Sequence, residues 1–126
     1  MLGFTKIEST RKILDTKLHG IIINVIFDNQ IPKMSISLRN GVKIFIRYNN
    51  YNQYSYTIYF SDSELDRCRF DNYDEKWDVR THSHHFQPRS NKKGYDSPMN
   101  GNPDYDILKL CDLILEGKLY TLEFRF

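Results

Sequence analysis

The 126-residue chain has little of what common enzyme signatures are made of. Its two cysteines, Cys68 and Cys111, show no Cys-x-x-Cys spacing, which excludes a disulfide-stapled scaffold and a zinc ribbon. They read as two buried thiols, with a disulfide between them left open. There is no glycine-rich phosphate loop, no Gly-x-Ser-x-Gly and no His-Glu-x-x-His. Hydride transfer, phosphoryl transfer from nucleotides and serine hydrolysis therefore have no support. The longest mainly apolar run, Ile21 to Phe27, is too short to span a bilayer, and no signal-peptide pattern follows Met1. The expected location is the cytoplasm, with no membrane. A formal net charge of only +2 is too small for bulk electrostatics to declare a nucleic-acid binder, so any basic footprint must be local.

What the chain does contain is enough apolar residue, 40%, to build one core at this length, so residues 1–126 read as a single domain. Gly3 to Leu18 carry Ile13 and Leu14 among charges, which allows a short N-terminal helix. "IIINVIF" ends at the turn cluster "DNQIP" and reads as a first strand. "KMSISL" and "VKIFIR" each alternate. A two-residue Asn-Gly loop between them would throw their apolar sets onto opposite faces. A three-residue loop, with Gly41 left-handed, puts Met34, Ile36, Leu38, Val42, Ile44 and Ile46 together and Phe45 on the other side. "QYSYTIYFSD" and "LDRCRFDN" add two more strands, the second with Cys68 and Phe70 opposite Arg67, Arg69 and Asp71. Short links make an antiparallel meander the simplest topology. Residues Gln87 to Pro103 read as one long loop. Asn102 as cap and Pro103 as first residue then open a helix with an apolar stripe of Ile107, Leu108, Leu110, Cys111, Ile114 and Leu115, ended by Gly117. The alternation of Tyr120, Leu122, Phe124 and Phe126 reads as a last strand. The fold expected is α+β: a mainly antiparallel meander sheet with the C-terminal-half helix packed on one face.

The chemistry concentrates in "WDVRTHSHHFQPR", which holds three of the four histidines. If extended, it sets His82, His84 and Phe86 on one face and His85 on the other. Histidines at i and i+2 can chelate a metal with help from Asp71, Asp74, Asp78 or His19, but no spacing forces this and no metal or cofactor is assigned. Histidines also suit metal-free RNA cleavage, which needs a base for the 2′-hydroxyl proton, an acid for the leaving oxygen and a cation for the phosphorane. Arg69 and Arg80 could supply the cation, and Asp71 could fix a histidine tautomer. A solvated polar segment and an ordinary charged strand face are the plainer readings. Tyr48, Tyr51, Tyr54, Tyr56 and Tyr59 crowd one strand and the turn before it. Exposed, Tyr54 and Tyr56 could stack on unpaired bases; half-buried, they are sheet aromatics.

"SLRNGV", "YSYTIYF", "RFDN" and the histidine cluster, in this order, resemble the TumE-like toxins of prokaryotic toxin-antitoxin systems. Thr81-His82-Ser83-His84-His85 departs from the family's usual proline-led cluster, and Tyr73-Asp74-Glu75 stands where the family tends to have histidines. The resemblance implies a toxin-like protein, a ribonuclease neutralised by a helix-turn-helix antitoxin. By position, Arg69, Asp71, Asn72, His82, His84 and His85 would form the site. The reading then has His82 and His84 as the proton-transfer pair, with His85, Arg69 and Asp71 also catalytic. Asn72, Arg80, Tyr54 and Tyr56 would meet single-stranded RNA, and a second copy could pair through an exposed sheet edge. The alternative is a non-catalytic module that binds protein or RNA.

Overall fold

A computed structural model describes residues 2–73 and 76–126. Asp74, weighed above as a metal ligand, and Glu75 lie outside the described residues. The elements are α1 (Gly3–Lys17), β1 (Ile22–Phe27), β2 (Lys33–Leu38), β3 (Lys43–Tyr48), β4 (Tyr54–Tyr59), β5 (Arg67–Asp71), β6 (His85–Gln87), β7 (Tyr95–Asp96) and α2 (Pro103–Leu115), followed by one 3-10 turn, Lys118–Tyr120. Among the described residues the seven strands form one sheet in sequence order, each antiparallel to the next. Both helices cover one face, so the fold is α+β as expected.

Hydrophobic alternation sets the centre of this sheet. Ser37 lies opposite Lys43, and Leu38 N donates to Val42 O at 2.9 Å, which leaves Arg39-Asn40-Gly41 as a three-residue loop with Gly41 at φ 88°. Met34, Ile36, Leu38, Val42, Ile44 and Ile46 are all buried together under the helices. Phe45 faces the other way, edge-on to Tyr59 at 5.4 Å between ring centroids. That second face is not covered by a helix. Its rows run Lys33, Arg47, Ser55, Asp71, His85, then Ser35, Phe45, Thr57, Arg69, Gln87, then Ser37, Lys43, Tyr59, Arg67.

α2 begins as its sequence dictates, with Asn102 Oδ1 accepting from Asp104 N at 3.0 Å and Pro103 in the first turn. Its buried stripe is Ile107, Leu110, Cys111, Leu113 and Ile114, together with Asp106. Leu108 and Leu115 are exposed, a correction to the expected stripe: the helix is rotated toward Leu113 because Asp106 is drawn inward by hydrogen bonds. Burial pushes the Cys111 thiol up to about 12, and it and Cys68 are free thiols. In α1 the buried face is Gly3, Lys6, Ile7, Thr10 and Leu14. The helix is anchored at its start by Gly3 N donating to Asn50 Oδ1 in the β3–β4 turn.

Two expected elements are corrected. The C-terminal strand is absent: residues 121–126 join no ladder, and the alternation instead places Phe124 and Phe126 against Phe86, with Phe126 also against Phe70. Aromatic packing on the sheet, rather than pairing at an edge, produced that pattern. The loop expected between Gln87 and Pro103 holds β7, whose Tyr95 pairs with Phe86. Among the described residues no helix is long and apolar enough to cross a membrane.

Candidate functional site

The segment expected to run extended through all three histidines is a turn over residues 80–83 that becomes strand only at His85. His82 N donates to Val79 O and His84 N to Thr81 O at 2.8 Å. Thr81 Oγ1 donates to His84 O and accepts from Ser97 N, tying the turn to the residue after β7. Three histidines within four positions thus have three environments. His82 is exposed on the turn, His84 is half-buried toward the helix-covered face, and His85 is 1% exposed on the other. The shared face expected for His82 and His84 is corrected, because the turn breaks the two-residue period before it reaches them. Among the described residues no group of three His, Cys, Asp or Glu side chains could hold a metal ion.

His85 Nε2 lies 3.1 Å from Asp71 Oδ1, across the β5–β6 ladder. Arg69 Nε lies 2.5 Å from Asp71 Oδ2, a charge contact whose geometry does not align its N–H for a hydrogen bond. The structure therefore brings Arg69, Asp71 and His85 together, and folds Trp77 over them with its ring centroid 6.0 Å from that of His85. Arg80 is elsewhere: its side chain is exposed and its Nε donates to Asp96 Oδ2 at 2.7 Å. That contact and a hydrogen bond from Arg80 N hold the Asp96 carboxyl below the usual carboxylate range. Asn72 is spent on backbone at both ends, accepting from Tyr54 N and donating to Asn52 O, so it ties β5 to the β3–β4 turn.

His84 stands at one end of a buried polar cluster. Its Nδ1 lies 2.9 Å from Tyr54 Oη, and the two rings stack at 5.7 Å and 17°. Tyr54 stacks in turn on Tyr56 at 4.8 Å. Thr10 Oγ1 donates to Tyr48 Oη, Tyr48 Oη to Tyr56 Oη, and Tyr56 Oη to Asp106 Oδ2 at 2.6 Å. Asp106 also accepts from Asn100 N and Gly101 N. Burial pushes the Asp106 carboxyl above its ordinary range, against the pull of these hydrogen bonds. Burial likewise lowers the pKa of His84; the negative potential of Asp106 opposes this and His85 adds to it. All three tyrosine hydroxyls are pushed up by burial.

Tyr54 and Tyr56 are fully buried, so the expectation that they stack on bases is corrected: both ring faces are used inside the core. Their role is to seat His84 and Asp106. Sequence reading passed over Asp106, Asn100 and Lys6. Asp106 stands in the first turn of α2, where an acid ordinarily complements the helix dipole, and its one clue in the sequence is its place beside the stripe that begins at Ile107.

With the geometry in view, comparison with known proteins gives one finding. The family model described as "Toxin TumE" matches residues 13–116, which include every strand, all of α2 and only the last five residues of α1. No curated protein and no solved structure matches the chain. The match takes in the hairpin loop, the tyrosine strand, Arg69 to Asn72 and the histidine turn, and spans far more than half of the 126 residues, so the chain belongs to the TumE toxin family.

Proposed function

We propose that this toxin-family protein is a metal-independent ribonuclease that works through the His82–His84 turn. The observation that carries the reading is the Tyr54–His84 hydrogen bond. Among the described residues the Tyr54 hydroxyl has no acceptor besides His84 Nδ1. Leaving a buried hydroxyl proton unpaired costs about 1–3 kcal/mol, so in this reading the Tyr54 hydroxyl donates to an unprotonated Nδ1 and the neutral ring carries its own proton on Nε2. Burial keeps the ring neutral at pH 7, as the direction of its pKa shift indicates. A neutral Nε2–H fixed in a partly desolvated site is a donor suited to charge building on a phosphorane oxygen.

In this reading the exposed His82 takes the 2′-hydroxyl proton, the 2′-oxygen bonds to phosphorus, and the bond to the 5′-oxygen breaks, that oxygen taking a proton from solvent. His84 steadies the phosphorane and does not itself exchange a proton. His85, Asp71 and Arg69 act by positioning, since His85 is sealed under Trp77. They hold the strand that begins one residue after His84. A cytoplasmic location belongs to this reading, as the place where an RNA substrate would be met. The toxin family suggests an antitoxin partner in general. A helix-turn-helix antitoxin, and a homodimer formed through a sheet edge, belong to this proposal.

The test is cleavage of a mixed-sequence single-stranded RNA by purified protein, with and without chelator, beside His82→Ala and His84→Ala variants of verified fold. Cleavage that resists chelator and is lost in both variants supports the reading. Equal cleavage by all three proteins, or none by the native one, sinks it and leaves a binding module.

A further inference from the structure

The N-terminus of α1, the β3–β4 turn and the N-terminus of α2 meet around a cavity of about 290 Å³ lined by Lys6, Asn52, Asn100, Gly101, Asn102 and Pro103. Among the described residues no carboxylate lines it. Lys6 is only 6% exposed, and among the described residues its ammonium has no hydrogen-bond acceptor and no ion pair, only the face of the Tyr48 ring 5.5 Å away. The Lys6 stem is buried while its ammonium keeps access to the cavity, where it has no acceptor among the described residues.

The asparagines point the same way chemically. Asn100 Oδ1 accepts from Asn102 N, and Asn102 Oδ1 accepts from Asp104 N, which settles which end of each amide is oxygen. In both, the unspent group is the Nδ2 amide, and the Asn52 side chain makes no hydrogen bond among the described residues. The cavity therefore offers a cation and amide donors at the positive end of a 13-residue helix. The first-turn N–H groups are not part of this set, since the Asn102 side chain and carbonyl already take them. Of the nearby acids, Asp106 is engaged by Tyr56, Asn100 N and Gly101 N, and Asp104 is exposed on the outer side of the helix.

We propose that this cavity is an oxyanion site that takes a phosphate group, with Lys6 as its charged ligand and the asparagine amides as neutral donors. Gly101 connects it to the histidine turn. A Cβ on Gly101 would come within 3.2 Å of the Tyr54 ring, whose hydroxyl holds His84. One tyrosine ring thus separates the cavity from His84, which suits a backbone phosphate beside the scissile one. Assigning the phosphate to RNA rests on the ribonuclease reading, whereas the oxyanion chemistry of the cavity does not.

The test is a titration of 15N-labelled full-length protein with inorganic phosphate, followed through the side-chain amide signals of Asn52, Asn100 and Asn102. Lys6→Met, which keeps the apolar stem, and Lys6→Arg, which keeps the charge, are compared at equal thermal stability. Saturable shifts at these amides are expected in the native protein. Lys6→Met should weaken phosphate by at least about tenfold, the equivalent of one charge-assisted hydrogen bond, and Lys6→Arg should restore most of it. No shift, a shift confined to other residues, or equal affinity in Lys6→Met would overturn the site. RNA cleavage that persists without phosphate binding here removes the cavity and spares the ribonuclease reading. Phosphate binding without RNA cleavage supports the cavity and removes that reading.

Discussion

One hydrogen bond fixes what His84 can do, because the tautomer it selects decides whether Nε2 gives or takes. At pH 7 a long-range 1H–15N spectrum should show Nδ1 unprotonated and Nε2 protonated; the reverse would make His84 a base and exchange its role with that of His82. Tyr54→Phe keeps the ring stack but frees the tautomer, so it should cut the cleavage rate while leaving substrate affinity nearly unchanged. The lowered pKa also makes a stability statement. A histidine depressed in the folded state binds fewer protons there than when unfolded. Its contribution is therefore complete above the ordinary value of 6.5 and is lost as pH falls through the lowered folded value. Urea unfolding at pH 7 and pH 5 should show a larger loss for the native protein than for His84→Gln. Asp106, whose shift has the opposite sign, is present in both proteins, so only its coupling to His84 enters the difference. Equal losses would mean His84 titrates as it does in the unfolded chain.

Among the elements, the β2–β3 hairpin was legible because a one-residue slip would have thrown every apolar side chain of one strand into water. Its loop carries a clean test. A Cβ on Gly41 meets no atom within 4 Å, so Gly41→Ala reports the backbone alone and should lower stability by roughly 1–2 kcal/mol in urea unfolding, with Gly41→Asn losing less. An unchanged Ala variant would mean the loop does not hold Gly41 left-handed. α2 was legible from its cap. α1 was barely so, since Gly3, Lys6 and Thr10 on its buried face interrupt any apolar period and are buried for polar reasons: Thr10 bonds Tyr48, and Lys6 lines the cavity. The tail misled because Phe124 and Phe126 alternate for packing rather than pairing. The site divides the same way. Local composition exposed the histidines and offered Asp71 as a partner for one of them without saying which, while Tyr54 lies 30 residues from His84 in sequence and Tyr56 lies 50 from Asp106, distances at which no local pattern speaks. Gly94 shows how tightly the turn is covered. A Cβ there would sit 2.6 Å from the Trp77 ring, so Gly94→Ala should push the chain's one tryptophan outward, shift its fluorescence to the red and open His85 to solvent.

For the whole molecule, the decisive asymmetry is that both helices lie on one side and leave a sheet face uncovered. A net charge of +2 hides how the cations are placed. Lys33, Lys43, Arg47 and Arg67 stand on the uncovered face, and none forms an ion pair among the described residues. The row Lys33, Arg47, Ser55 crosses the open part of this face and runs up to the point where Trp77 covers Asp71 and His85, with Phe45 and Tyr59 beside it. A single strand of RNA lying on that row would meet phosphate-binding cations and two aromatic rings before its backbone reaches the histidine turn. Replacing Lys33, Arg47 and Arg67 together by glutamine should leave the core untouched, since their side chains pack no buried neighbour of the helix-covered face. It should weaken single-stranded RNA binding at low salt and flatten the log–log salt dependence by about 0.7 for each phosphate contact removed, so about 2 for all three. Binding measured by anisotropy across a salt series decides it. An unchanged slope would place the RNA entirely at the Lys6 end of the molecule, where one cation and a set of asparagine amides would give weak salt dependence and the uncovered face would be left for a protein partner.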